Sequence, residues 1–111
     1  DSDNICCHMK KYLDDLEAVI QDRKNKDPQE SYVASLIMEK EKIILKIKEE
    51  SQELAEAFLE NDPDSIKHES ADLLFHLMVL LSEKNIPFDE VLLELKKREG
   101  ISGHEEKKSR K

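Results

Sequence analysis

Tryptophan is absent from this 111-residue chain, and glycine and proline are scarce, at two and three residues. So few turn formers cannot supply the reversals of a sandwich or barrel, so an all-β fold is excluded. The two cysteines, Cys6 and Cys7, are adjacent. Neither a Cys-x-x-Cys zinc pair nor a disulfide framework can be drawn from them, which suits a reducing compartment. No run approaches the roughly 18 apolar residues of a membrane-spanning helix, and no basic segment leads into an apolar one at the start. The expectation is a soluble, cytoplasmic protein with no membrane partner. Positive charge is short as well: 18 Lys plus Arg against 26 Asp plus Glu leave a formal charge of −8. Unspecific binding to nucleic acid is therefore not expected, and a phosphate ligand would need local lysines or a bridging cation.

What the chain has is charged and apolar side chains, 40% and 38% of its residues respectively. At this length they form one domain. His8-Met9 reads as a cloning junction, so residues 1–8 are set aside as a scar or a disordered N-terminus and the domain is taken as 9–111. The prolines divide it into helices. The first spans about 9–25, with Tyr12, Leu13, Leu16, Val19 and Ile20 on one stripe. Ser31 caps a second that reaches about Glu60 with a bend or break near 38–41, and whose apolar set includes Leu36, Ile37, Ile43, Ile44, Ile47, Leu54 and Phe58. Asp62 as N-cap and Pro63 at the first helical position begin a third, which must stop before Pro87. A fourth occupies about 88–99 with Val91, Leu92 and Leu95 inward. The fold class is all-α, a bundle of four to five helices.

Most acids in such a chain are the wet faces of helices. Two groups resist that reading. Glu49, Glu50 and Glu53 form Glu-Glu-x-x-Glu at the rim of the stripe of Ile47 and Leu54, beside Lys46. In the third helix, residues 71–81 are apolar all round except at Asp72 and His76, as befits a buried helix. Glu69, Asp72 and His76 share one side of it. Buried carboxylates must be paired, protonated or metal-bound. Lys46 or Arg23 could pair with them. The alternative is an oxygen-rich cluster suited to Mg²⁺, which retains water and takes phosphate oxygens in its remaining positions. A di-iron bundle needs Glu-x-x-His pairs, and no Glu here has His three residues later. His76, four residues after Asp72, reads as a core histidine bonded to that carboxylate, supporting the cluster from behind. Ser31-Tyr32 reads as cap and packing, with ligand contact as the alternative.

These residues resemble the signature of the all-α, MazG-like nucleotide pyrophosphohydrolases, Glu-Glu-x-x-Glu followed by Glu-x-x-Asp, which stands here as Glu49-Glu50-Ser51-Gln52-Glu53 and Glu69-Ser70-Ala71-Asp72. Within that superfamily the chain is most similar to the phosphoribosyl-ATP pyrophosphatases of histidine biosynthesis. The supporting segments are Arg23-Lys24, the stretch from Pro28 to Leu36, Lys46-Ile47-Lys48-Glu49-Glu50, residues 69–77, and Ser102-Gly103, Glu106-Lys107 and Arg110 in the tail. The family usually has glycine where Lys48 stands and another in a loop near 38–41, so the loop region departs from its pattern.

The resemblance implies Mg²⁺-dependent hydrolysis of the α,β-phosphoanhydride of phosphoribosyl-ATP. Glu50, Glu53, Glu69 and Asp72 would hold Mg²⁺. Glu49 would be a further ligand or orient the attacking water, with Glu49 and Glu50 as the catalytic pair. Arg23, Lys24, Lys46, Lys107 and Arg110 would contact phosphates. A house-cleaning enzyme acting on dNTPs or NTPs is the enzymatic alternative, and a helical interaction module held by salt bridges is the non-enzymatic one. Phe75, Met78 and Val79 on the far side of the third helix need cover, from which a homodimer with sites near its boundary is expected.

Overall fold

A computed structural model describes residues 2–99 and contains five helices: α1 (Ser2–Arg23), α2 (Tyr32–Met38), α3 (Lys40–Glu60), α4 (Pro63–Glu83) and α5 (Phe88–Lys97). No strand occurs among the described residues. The local chemistry sets most of these limits. Ser31 caps α2, its hydroxyl accepting from the Ala34 N–H at 3.1 Å while donating to the Arg23 carbonyl. Asp62 caps α4 by accepting from the Asp64 and Ser65 N–H groups and the Ser65 hydroxyl, contacts that hold its carboxyl below the usual range. Asn61 closes α3 in the left-handed region, at φ 57° and ψ 35°, where a short polar side chain is tolerated.

The expected break near 38–41 is a join at Glu39 between α2 and α3, with φ −119° and ψ 79°. That backbone needs no glycine. Lys48 lies exposed within α3, where glycine would weaken the helix. The first helix extends further than its pattern predicts, starting at Ser2 rather than Met9.

The two-residue link between α3 and α4 makes them an antiparallel hairpin, and theirs is the most extensive helix contact. Against it, α1 and α2 bury Ile20, Val33 and Leu36 together with Ile43, Met78 and Val79. This corrects one expectation: Met78 and Val79 are covered by α1, α2 and α3 of the same chain, with Phe75 packed against that cluster. Apolar surface is exposed elsewhere. Leu95, expected inward, is solvent-exposed, because α5 covers the bundle only through its first turn and Leu92. Tyr12, Val19, Ile44 and Phe58 also face out. The α5 N-terminus is strapped to α1 by the Phe88 N–H donating to Glu17 Oε2 at 2.6 Å and by Lys10 pairing with Asp89 at 2.9 Å. Among the described residues no helix is long and apolar enough to cross a membrane.

Candidate active site

The register of the α3/α4 hairpin brings the two acidic motifs together. On α3, one carboxylate oxygen each from Glu49, Glu50 and Glu53 lies within 4.8 Å of the others. On α4, Glu69, Asp72 and a ring nitrogen of His68 meet the same limit. Glu53 bridges the sets: it shares a hydrogen bond with Glu69, and that contact, with partial burial and the neighbouring negative charge, holds its carboxyl above the usual carboxylate range.

Partners inside the chain satisfy only part of this charge. Lys46 Nζ lies 3.3 Å from Glu49 Oε1 and 3.5 Å from Glu50 Oε1, and the Glu49 bond raises the ammonium above its ordinary value. The exposed His68 lies 3.3 Å from Asp72 Oδ2. Glu50 is 4% exposed, yet its Oε2 has no hydrogen-bond partner, and neither has the buried Oε2 of Glu69. Two orphaned carboxylate oxygens beside the Glu53–Glu69 contact are costly unless something positive completes them. The donor set is hard oxygen, with one imidazole at its edge, and so fits a Mg²⁺-like cation.

Other expected site residues are placed as follows. His76 is buried but does not touch the Asp72 carboxylate: its Nδ1 lies 2.8 Å from the Asp72 main-chain oxygen and its Nε2 2.8 Å from the Tyr32 hydroxyl. The backbone carbonyl one turn earlier is the nearer acceptor in a helix, and Asp72 turns its side chain toward His68. Lys24 is engaged away from the acids. It donates to the Ser82 carbonyl at 2.9 Å and to Asn85 Oδ1, capping the end of α4 about 15 Å along the axis from Asp72. Arg23 is exposed at the end of α1. Lys107 and Arg110, like Ser102-Gly103, lie outside the described residues.

The sequence reading missed His68 as a neighbour of Asp72, although the four-residue spacing was there to find it. It also left Tyr32 undecided. Nothing local signals a partner 44 residues away.

Comparison with protein families matches residues 13–99 to the family described as Phosphoribosyl-ATP pyrophosphohydrolase, PRA-PH. The chain belongs to this family. Relatives bearing the name phosphoribosyl-ATP pyrophosphatase support the membership along most of its length. One from Novosphingobium aromaticivorans is 52% identical over 96 residues, covering 86% of this chain and 90% of the relative. One from Rhizorhabdus wittichii is 48% identical over 99 residues, covering 88% and 93%. One from Haloarcula marismortui is 43% identical over 89 residues, covering 78% and 91%. As a phosphoribosyl-ATP pyrophosphohydrolase family member, the chain carries both acidic motifs inside the matched segment, on the two helices that face each other.

Proposed function

We propose that the chain hydrolyses the α,β-phosphoanhydride of phosphoribosyl-ATP to phosphoribosyl-AMP and pyrophosphate, the second step of histidine biosynthesis, as a Mg²⁺-dependent cytoplasmic homodimer. The observation that carries this reading is the pair of orphaned carboxylate oxygens, Glu50 Oε2 on α3 and Glu69 Oε2 on α4, on two acids that both contact Glu53.

Glu50, Glu53, Glu69 and Asp72 are the residues that would hold Mg²⁺. When bound, the ion supplies charge neutralisation for the triphosphate and for the departing pyrophosphate. The chain's own groups do the rest. Glu49 is exposed and tethered by Lys46, so it can accept a proton from the water that attacks the α-phosphorus as the bond to the bridging oxygen breaks. Lys46 stands beside the acids and is the cation best placed to steer a phosphate. Arg23, Lys107 and Arg110 remain further candidates for the outer phosphates, whereas Lys24 would have to leave Ser82 to join them.

The dimer reading moves to a different face from the one first expected. Phe58 and Leu59 are 69% and 76% exposed, and with Leu54, Ala55 and Ile66 they line an apolar groove of about 560 Å³. An isologous contact there would cover it.

The test is pyrophosphate release from phosphoribosyl-ATP and from a panel of dNTPs, with Mg²⁺ and with chelator, for the parent and Asp72→Asn. Turnover of phosphoribosyl-ATP that vanishes in chelator and falls in the variant is expected. Unchanged turnover in either removes the metal reading, and equal activity on dNTPs favours the house-cleaning alternative.

A further inference from the structure

Beside the acids lies a second feature that the phosphate chemistry does not use. A cavity of about 310 Å³ is walled by Tyr32, Leu36, Leu45, Lys46 and Glu49, among others. Its volume is at the lower end for small-molecule sites and suits a heterocycle with its sugar. Lys46 and Glu49 also belong to the acidic cluster, so a ligand in the cavity has its phosphates beside the carboxylates. The remaining lining is Tyr32, Leu36 and Leu45, with Ser35 and Lys42.

Tyr32 is held in that wall. It is half exposed, and one face of its ring stacks on Phe75, with centroids 6.4 Å apart and planes 18° apart. Its hydroxyl meets His76 Nε2 at 2.8 Å. The Nδ1 of His76 faces the Asp72 main-chain oxygen, which can only accept, so Nδ1 carries the hydrogen. In the neutral ring Nε2 then accepts, and the Tyr32 hydroxyl donates its one proton inward. Its oxygen lone pairs are left for a donor arriving from the cavity. An ordinary surface tyrosine points its hydroxyl at water, but this one is pinned by a histidine that is itself only 5% exposed.

We infer that Tyr32 positions the nucleoside end of the substrate, its ring stacking on a purine face and its hydroxyl oxygen accepting from an amine or hydroxyl, and that His76 holds it in that pose. The inference rests on the activity proposed above and adds to it a recognition site on α2. Neither residue touches the bond that breaks. Their effect therefore falls on affinity more than on the chemical step.

The experiment titrates phosphoribosyl-AMP, which keeps the nucleoside end, and inorganic pyrophosphate, which lacks it, against the parent, Tyr32→Phe, Tyr32→Ala and His76→Gln. Tyr32→Ala is expected to weaken phosphoribosyl-AMP binding about tenfold, the scale of one lost base–aromatic stack. Pyrophosphate affinity stays unchanged. In turnover, KM for phosphoribosyl-ATP rises by a similar factor while kcat moves less than about threefold. Tyr32→Phe keeps the stack and shows a smaller loss, and His76→Gln follows Tyr32→Phe where its thermal midpoint shows it folded. Because Tyr32 is half exposed, the Ala variant decides the matter even if the histidine variant does not fold. Parent-like phosphoribosyl-AMP binding by Tyr32→Ala, an equal loss of pyrophosphate affinity, or no phosphoribosyl-AMP binding by the parent overturns the inference. Absence of phosphoribosyl-ATP turnover in the parent would instead refute the activity, while the two titrations still decide the cavity.

Discussion

Glu53 meets Glu69 across the hairpin, and on the proposed metal role these acids would carry uncompensated negative charge whenever the cation is absent. Replacing Glu69 by Gln keeps the shape and removes one charge. We expect a higher thermal midpoint in chelator and a loss of turnover of roughly a hundredfold, the scale of removing a group that stabilises developing charge. A lower midpoint for the variant in chelator would show that the cluster is not strained. The raised Glu53 carboxyl has a pH consequence of definite sign. Its folded value lies above the ordinary 4.5, so the folded chain binds more protons between those two values and loses stability as pH climbs through that window. Glu53→Gln lacks this slope. Urea midpoints in chelator across the window should therefore shift in favour of the variant as pH rises, and parallel profiles would contradict the assignment. The acids themselves were legible, because carboxylates inside an apolar run stand out. Their partners were not: the Tyr32–His76 and Lys24–Ser82 bonds join positions 44 and 58 residues apart, and such pairs are decided by packing that one sequence does not display.

Helix ends were the most readable level, since each is governed by a few neighbouring groups. Ser31, Asp62 and Pro63 stand where their cap chemistry places them. Ser31 does more than cap, because its hydroxyl also ties the end of α1 to the start of α2. Ser31→Ala should cost about 1 kcal/mol or more of unfolding free energy, measured by urea titration. Asn61 gives a second check: Asn61→Ala puts a Cβ without a polar side chain in the left-handed region and should cost roughly 1 kcal/mol, while Asn61→Gly should not. Equal losses in the two variants would mean that the backbone there is not what sets the cost. Which stripes end up buried was less legible. Amphipathic spacing marks Ile44, Phe58 and Leu95 as inward as readily as Leu36, Ile43 and Ile20, but how far short helices reach around the hairpin depends on crossing geometry.

At the scale of the whole molecule, the all-α class follows from composition, whereas the place of any subunit contact does not. The core closes over Met78 and Val79 within one chain and leaves the groove at Phe58 and Leu59 open. Light scattering at working concentration should give twice the 12.9 kDa chain mass, and Phe58→Glu should return the single-chain mass without loss of helix by circular dichroism. A parent of single-chain mass would remove the dimer. The join at Glu39 has a last consequence. It separates the helix bearing Tyr32 from the helix bearing Glu49, Glu50 and Glu53 by one residue in unstrained backbone. Adding or deleting a residue there re-aims the ring but leaves the acids in phase with α4. On the roles proposed for Tyr32 and the acids, what the enzyme recognises can drift during descent independently of how it cuts, so relatives that differ in length at this joint are the ones in which to seek altered appetites.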